Sequence, residues 1–105
     1  MKSSSLTVSR FSTNGLTGSL LRRGVLRQLS RLKHGQLLVV EDGERLMFGT
    51  PGSHLLGEIH VQDAAVWGMV AGNGSIGAGE AFIHGYWNSP DLTAVVRVFV
   101  SNLDV

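Results

Sequence analysis

Gln36-Leu37-Leu38-Val39-Val40-Glu41-Asp42-Gly43-Glu44-Arg45-Leu46-Met47-Phe48 is the stretch that decides the fold. Two short apolar runs, Gln36 to Val40 and Arg45 to Phe48, flank Glu41-Asp42-Gly43-Glu44. The Asp-Gly pair is a strong hairpin signal, because both central residues of such a turn must tolerate positive φ. Two antiparallel strands follow from it. Thr50-Pro51-Gly52 then punctuates the chain ahead of a third run, His54 to Gln62. There Leu55, Gly57, Ile59 and Val61 alternate with Leu56, Glu58, His60 and Gln62, the period of a sheet with one buried and one wetter face.

Upstream of the hairpin the period changes. From about Ser19 to His34, Leu21, Val25, Leu29 and Leu32 recur at helical spacing, and Gly35 stands where a C-cap glycine belongs. Turning through 100° per residue puts Arg23, Arg27 and Arg31 in one stripe opposite the apolar face, with Arg22 and Lys33 beside it. Residues 1–16 are rich in Ser and Thr, carry an Asn14-Gly15 turn signal and form a flexible lead-in. Downstream, Asp63 is an N-cap for a helix through Val66, Trp67 and Val70 that ends at Gly72-Asn73-Gly74. Ser89-Pro90-Asp91 starts another, with Ser as cap and Pro at the first helical position. Leu92, Val95, Val96, Phe99 and Leu103 give its apolar face, although Val98 and Val100 offer a strand as the alternative for its second half. The expected fold class is α+β, an antiparallel sheet of three or more strands packed with helices, as a single domain over residues 17–105.

Composition agrees with one globular unit. The 105 residues are 43% apolar and 16% charged, and domains commonly run to roughly 100–150 residues. With no cysteine there is no disulfide framework, thiolate metal site or cysteine nucleophile. Met1 to Leu6 lacks the apolar run of a secretory signal, and no stretch approaches the roughly 18 apolar residues of a membrane span, so membrane contact is expected to be peripheral. The net charge of +1 conceals a split. Residues 1–40 hold seven basic residues and no acid, whereas residues 41–105 hold all eight acids and only Arg45 and Arg97. Either the basic part meets an anionic partner, or the two parts dock on one another.

Catalytic constellations are missing. Gly72-Asn73-Gly74-Ser75-Ile76-Gly77 matches the dinucleotide pattern G-x-G-x-x-G, but it follows a helix-like segment instead of the first strand of a βαβ unit, so it is a glycine-rich helix connection. His34, His54, His60 and His84 include no i, i+4 helical pair, and His54 and His60 on one strand would stand roughly 20 Å apart. No metal and no cofactor is expected in this chain. The basic helix is the candidate surface: Arg22, Arg23, Arg27, Arg31 and Lys33 suit an anionic lipid headgroup layer, each contributing about 1 kcal/mol near it. Nucleic acid is not expected, since no aromatic is interleaved for base stacking. A core helix with a solvated basic back is the alternative.

The segment Gly77-Ala78-Gly79-Glu80-Ala81-Phe82-Ile83-His84-Gly85-Tyr86-Trp87-Asn88-Ser89-Pro90-Asp91-Leu92 resembles a block found ahead of the methyltransferase domain in cyclopropane-fatty-acyl-phospholipid synthases. Gly79, Glu80, Gly85, Trp87, Ser89, Pro90 and Asp91 carry the likeness, while His84, Tyr86 and Asn88 stand where Asp is common in the family. Weaker likeness extends it to about residues 20–103. The resemblance implies a non-catalytic, lipid-engaging or docking domain. Its partners would be a phospholipid membrane surface and a downstream methyltransferase domain, with a homodimer as a further candidate. It also implies a parent activity, methylene transfer from S-adenosylmethionine to a phospholipid acyl double bond, which needs a domain this chain lacks. Cytoplasmic placement, peripheral at the inner membrane, goes with it. The order of elements is also similar to sterol-carrier-type lipid-binding folds. A free-standing carrier of a lipid or other hydrophobic ligand is the second functional reading, and a purely structural module the third.

Overall fold

The hairpin turn forms as its residues require: Asp42 has φ 51° and Gly43 φ 80°, both in the left-handed region. It joins β1 (Gln36–Glu41) to β2 (Glu44–Gly49), paired antiparallel with Leu37 opposite Phe48 and Val39 opposite Leu46. The computed structural model describes residues 16–103. Within them α1 is Leu16–Leu29, β3 Leu56–Val61, α2 Ala65–Ile83, β4 Trp87–Asn88 and α3 Leu92–Ser101. The strand order is β2-β1-β3-β4. The lead-in expected at 1–16 lies outside the described residues, save Leu16, which already belongs to α1.

The sheet is mixed, not purely antiparallel. β3 lies parallel to β1, with Leu37 opposite Gly57 and Val39 opposite Ile59, and β4 is antiparallel to β3. The cause lies in the connection after β2. Thr50 donates its N–H to the Gly35 carbonyl (2.9 Å) and its hydroxyl to the Lys33 carbonyl (2.6 Å), and Gln36 N–H donates to the Leu55 carbonyl (2.8 Å). Residues 50–55 are thus tied beneath the start of β1, and the chain emerges on its far side running in the same direction. Gly35 and Gly49, with φ 79° and 101°, allow this crossing, and a side chain on Gly49 would overlap the Gly35 carbonyl. Gly35 therefore serves the strand crossing and not a helix C-cap. α1 stops at Leu29, and Arg31 and Leu32 turn out of it with bonds to the Gln28 and Leu29 carbonyls, so the helix is shorter at its C-terminal end than the expected 19–34.

Alternation puts Leu37, Val39, Leu46, Phe48, Ile59 and Val61 on one face, and that face carries the core together with Val25, Val66, Trp67, Ala81, Trp87 and Val95. Leu38, Val40, Met47, Glu58 and His60 occupy the opposite face. α3 rests on β3 where Gly57 has no side chain; a Cβ there would come 2.9 Å from the Cα of Val95. The cap of α3 is Asp91, whose carboxylate accepts the Ala94 N–H (3.1 Å); Ser89, the expected cap, instead accepts the Asp91 N–H (3.1 Å). Despite its valines α3 remains helical to Ser101, because Val95 and Val98, three residues apart, are both fully buried. Asn102 then fastens its end, accepting the Lys33 and His34 N–H groups and donating to the His34 and Val98 carbonyls.

Asp63 accepts the Ala65 N–H (2.8 Å) just ahead of α2, but the N-cap position falls on Ala64, one residue after the expected cap. At Asn73 (φ −144°) and Gly74 (φ 56°) the helix breaks, so the glycine cluster ends one helix and a second begins at once. The two halves, 65–72 and 75–83, meet so closely that a Cβ on Gly77 would overlap the Met69 carbonyl. Gly72 faces open space. Gly72→Ala is expected to raise stability by about 0.5–1 kcal/mol, since a helical glycine sacrifices backbone entropy for nothing. Gly77→Ala is expected to lower it by about 1–3 kcal/mol. Urea unfolding of the two variants checks both signs.

Candidate functional site

The five basic residues of the sequence reading separate into two groups. Arg22 is half-buried and turned inward: its Nε donates to Glu41 Oε1 (2.8 Å), a terminal nitrogen reaches Glu44 (3.4 Å), and its guanidinium lies over the Trp67 ring (5.6 Å to the centroid). The Trp67 indole N–H donates to the other oxygen of Glu41 (3.1 Å). This one residue fulfils the internal docking of the basic and acidic parts, and it is a packing residue, not a surface contact. Arg23, Arg27, Arg31 and Lys33 are exposed, and among the described residues none has an acidic partner. Glu58 pairs with His60 on the far face of the sheet. Of the four exposed residues only Arg23 and Arg27 lie on α1; Arg31 and Lys33 follow in the turn after Leu29, so the expected helical stripe of Arg23, Arg27 and Arg31 loses its third member, while the apolar side of the helix is turned to α2.

The second feature lies in the core. An apolar cavity of about 160 Å³ remains between the inner sheet face and the helices, bounded by Val25, Val39, Ile59, Val66, Val70 and Phe99 among others. A groove of about 310 Å³ adjoins it between the 75–83 half of α2 and α3, bounded by Phe82, Val95, Val96, Val100 and Leu103. Ser75, Ala78, Trp87 and Phe99 border both spaces. No charged residue lines either one.

The family-like block forms one wall of these spaces. Trp87 is buried, its indole N–H donates to the Ala78 carbonyl (2.8 Å), and its ring packs on Phe82 at 5.0 Å. Gly85, with φ 78°, makes the turn that brings β4 back to β3, and His84 stacks on Tyr86 at 5.4 Å. Gly79, Glu80, Pro90 and Asp91 are exposed, while Ser89 is half-buried and Asp91 caps α3. Asn88 is exposed in β4. His54 falls before β3, so it does not share a strand with His60, and the described residues contain no group of three metal-ligating side chains. Among them no helix is long and apolar enough to cross a membrane.

Two things escaped the sequence reading. One is the acceptor role of Glu41, which joins residues 19 and 26 positions away in the chain. The other is the space beside Ser75 and Ala78. Its only sequence signal is the glycine cluster, which marks a helix break but not what the break leaves open. Comparison with known proteins finds no matching family model, no matching curated protein and no matching solved structure.

Removing the Glu41 carboxylate would strand two donors, one of them the buried Trp67 N–H. Glu41→Ala is therefore expected to cost about 1–3 kcal/mol. Glu44 is 62% exposed at its side chain and its contact is long, so Glu44→Ala is expected to change stability by less than about 0.5 kcal/mol. Thermal melts followed by tryptophan emission distinguish the two.

Proposed function

We propose that this chain is a non-catalytic, lipid-engaging domain of a cyclopropane-fatty-acyl-phospholipid synthase-like methyltransferase, and that α1 is its contact with an anionic phospholipid surface. The observation that carries the reading is the division among the arginines: Arg22 takes the hairpin acids, while Arg23, Arg27, Arg31 and Lys33 stand exposed with no acidic partner among the described residues. Guanidinium groups exposed on α1, at Arg23 and Arg27, and just beyond its end, at Arg31, suit lipid phosphates, which accept bidentate hydrogen bonds. The split of charge along the sequence gives the surface its direction, since the acids lie after residue 40.

The block from Gly77 to Leu92 supports the parent class. There it supplies a wall, a turn and a capped helix, which is scaffolding chemistry. Methylene transfer from S-adenosylmethionine would belong to a methyltransferase domain docked beside this one, in a protein that is cytoplasmic and peripheral at the inner membrane. A homodimer is a second way to present two such helices to one surface.

Co-sedimentation tests the reading. The chain is expected to bind vesicles containing anionic lipid and hardly at all vesicles of neutral lipid, with added salt weakening the association because exposed charges are screened over about 8 Å at physiological ionic strength. Changing Arg23, Arg27 and Arg31 together to Gln is expected to lower affinity roughly a hundredfold, at about 1 kcal/mol for each, while leaving the melting temperature unchanged. Equal binding by the wild type and the triple variant would overturn the proposal.

A further inference from the structure

We propose that the core cavity and the adjoining groove are one channel that takes a single unbranched hydrocarbon chain. The site is separate from the exposed arginines and stands whether or not α1 meets a membrane. Adjacency is the first argument: Ser75, Ala78, Trp87 and Phe99 line both spaces, so the two lie side by side. Chemistry is the second. The lining residues carry no charge, and the two indole N–H groups at the site are already bonded, Trp87 to the Ala78 carbonyl and Trp67 to Glu41. Apart from Ser75, what faces the space is aliphatic surface and aromatic rings. A ligand with several polar atoms would lose its bonds to water there and regain few.

Shape is the third argument. The inner space of about 160 Å³ is close to the roughly 150 Å³ of an apolar cavity that admits benzene, and it cannot receive a helix about 10 Å across. A thin, flexible chain fills both spaces. The rim is apolar as well: Val96, Val100 and Leu103 border the groove and are 50%, 59% and 73% exposed, so a chain would enter across hydrocarbon while its polar end stayed in water. The opening exists because α2 breaks at Asn73 and Gly74, and Gly74 and Ser75 stand at the edge of the cavity.

The test uses n-alkanols and n-alkyl carboxylates of increasing length, each below its micelle concentration, with Trp67 and Trp87 emission and calorimetry as readouts. Affinity is expected to rise about fourfold per methylene in both series and then to level off when the channel is full. Ser75→Phe, which places a ring at the shared border, is expected to move that plateau to shorter chains and to weaken the longest ones at least tenfold. If Ser75→Phe does not fold, Val96→Glu supplies the check, since a carboxylate at the rim should weaken both series at least tenfold with an unchanged melt. Affinity independent of chain length, or unaltered in the folded variants, would overturn the proposal. So would a native dimer that Val96→Glu converts to a monomer without any alkyl binding, since the groove would then belong to a second copy.

Discussion

Glu41 closes the central strand, and its two carboxylate oxygens take one donor from each of the first two helices, the Arg22 Nε of α1 and the Trp67 indole of α2. The side chain is only 12% exposed, and both its oxygens are bonded, with a guanidinium beside it. Through this one group the end of β1 sets where α1 and α2 lie over the sheet. Arg22, drawn onto Glu41 and across the Trp67 ring, covers an edge of the core with its aliphatic stem.

Two consequences follow from that attachment. The first is electrostatic: the acids of the hairpin are used by Arg22, and the next arginines along α1 point elsewhere, so the positive face of the helix is not neutralised from within. The second is steric. α1 and the first half of α2 are joined through Glu41, α3 sits on β3 at the contact between Gly57 and Val95 and is tied by Asn102 to Lys33 and His34, and the break in α2 leaves a space between them. Interiors are normally packed to crystal-like density, and an apolar space left open lowers stability until something fills it.

The family-like block acquires a physical meaning from this arrangement. Its tryptophan lines both the core cavity and the adjoining groove, its glycine at position 85 returns the chain to the sheet, and its Asp91 starts the helix that forms the opposite wall. Those roles need a large aromatic, a residue free to adopt positive φ and a short acceptor side chain, in that order. None of them needs an acid at positions 84, 86 and 88, where this chain has His, Tyr and Asn.

Local rules sufficed for much of the fold. The Asp42-Gly43 turn, the alternation from Leu55 to Val61, the start of α2 just after Asp63 and the break at Gly72-Asn73-Gly74 each depend on residues within a few positions of one another, which is the range over which turn chemistry and periodicity act. The exposure of Arg23 and Arg27 on α1 was legible for the same reason, whereas Arg31, expected on the same stripe, lies past the end of the helix. What remained hidden is non-local. β3 joins β1 in parallel because of bonds made by Gly35, Thr50 and Leu55, and no periodicity records which neighbour a strand will choose. The helix chosen over a strand around Val98 rests on burial against other elements, which overrides the weak propensity of valine. Arg22 and Arg23 are adjacent in the chain and equal in composition, yet one faces Glu41 and the other water, a distinction made only when α1 settles on α2. The apolar channel is the extreme case, since a cavity is the volume that packed elements fail to fill, and that volume is fixed by tertiary contacts and by no residue alone.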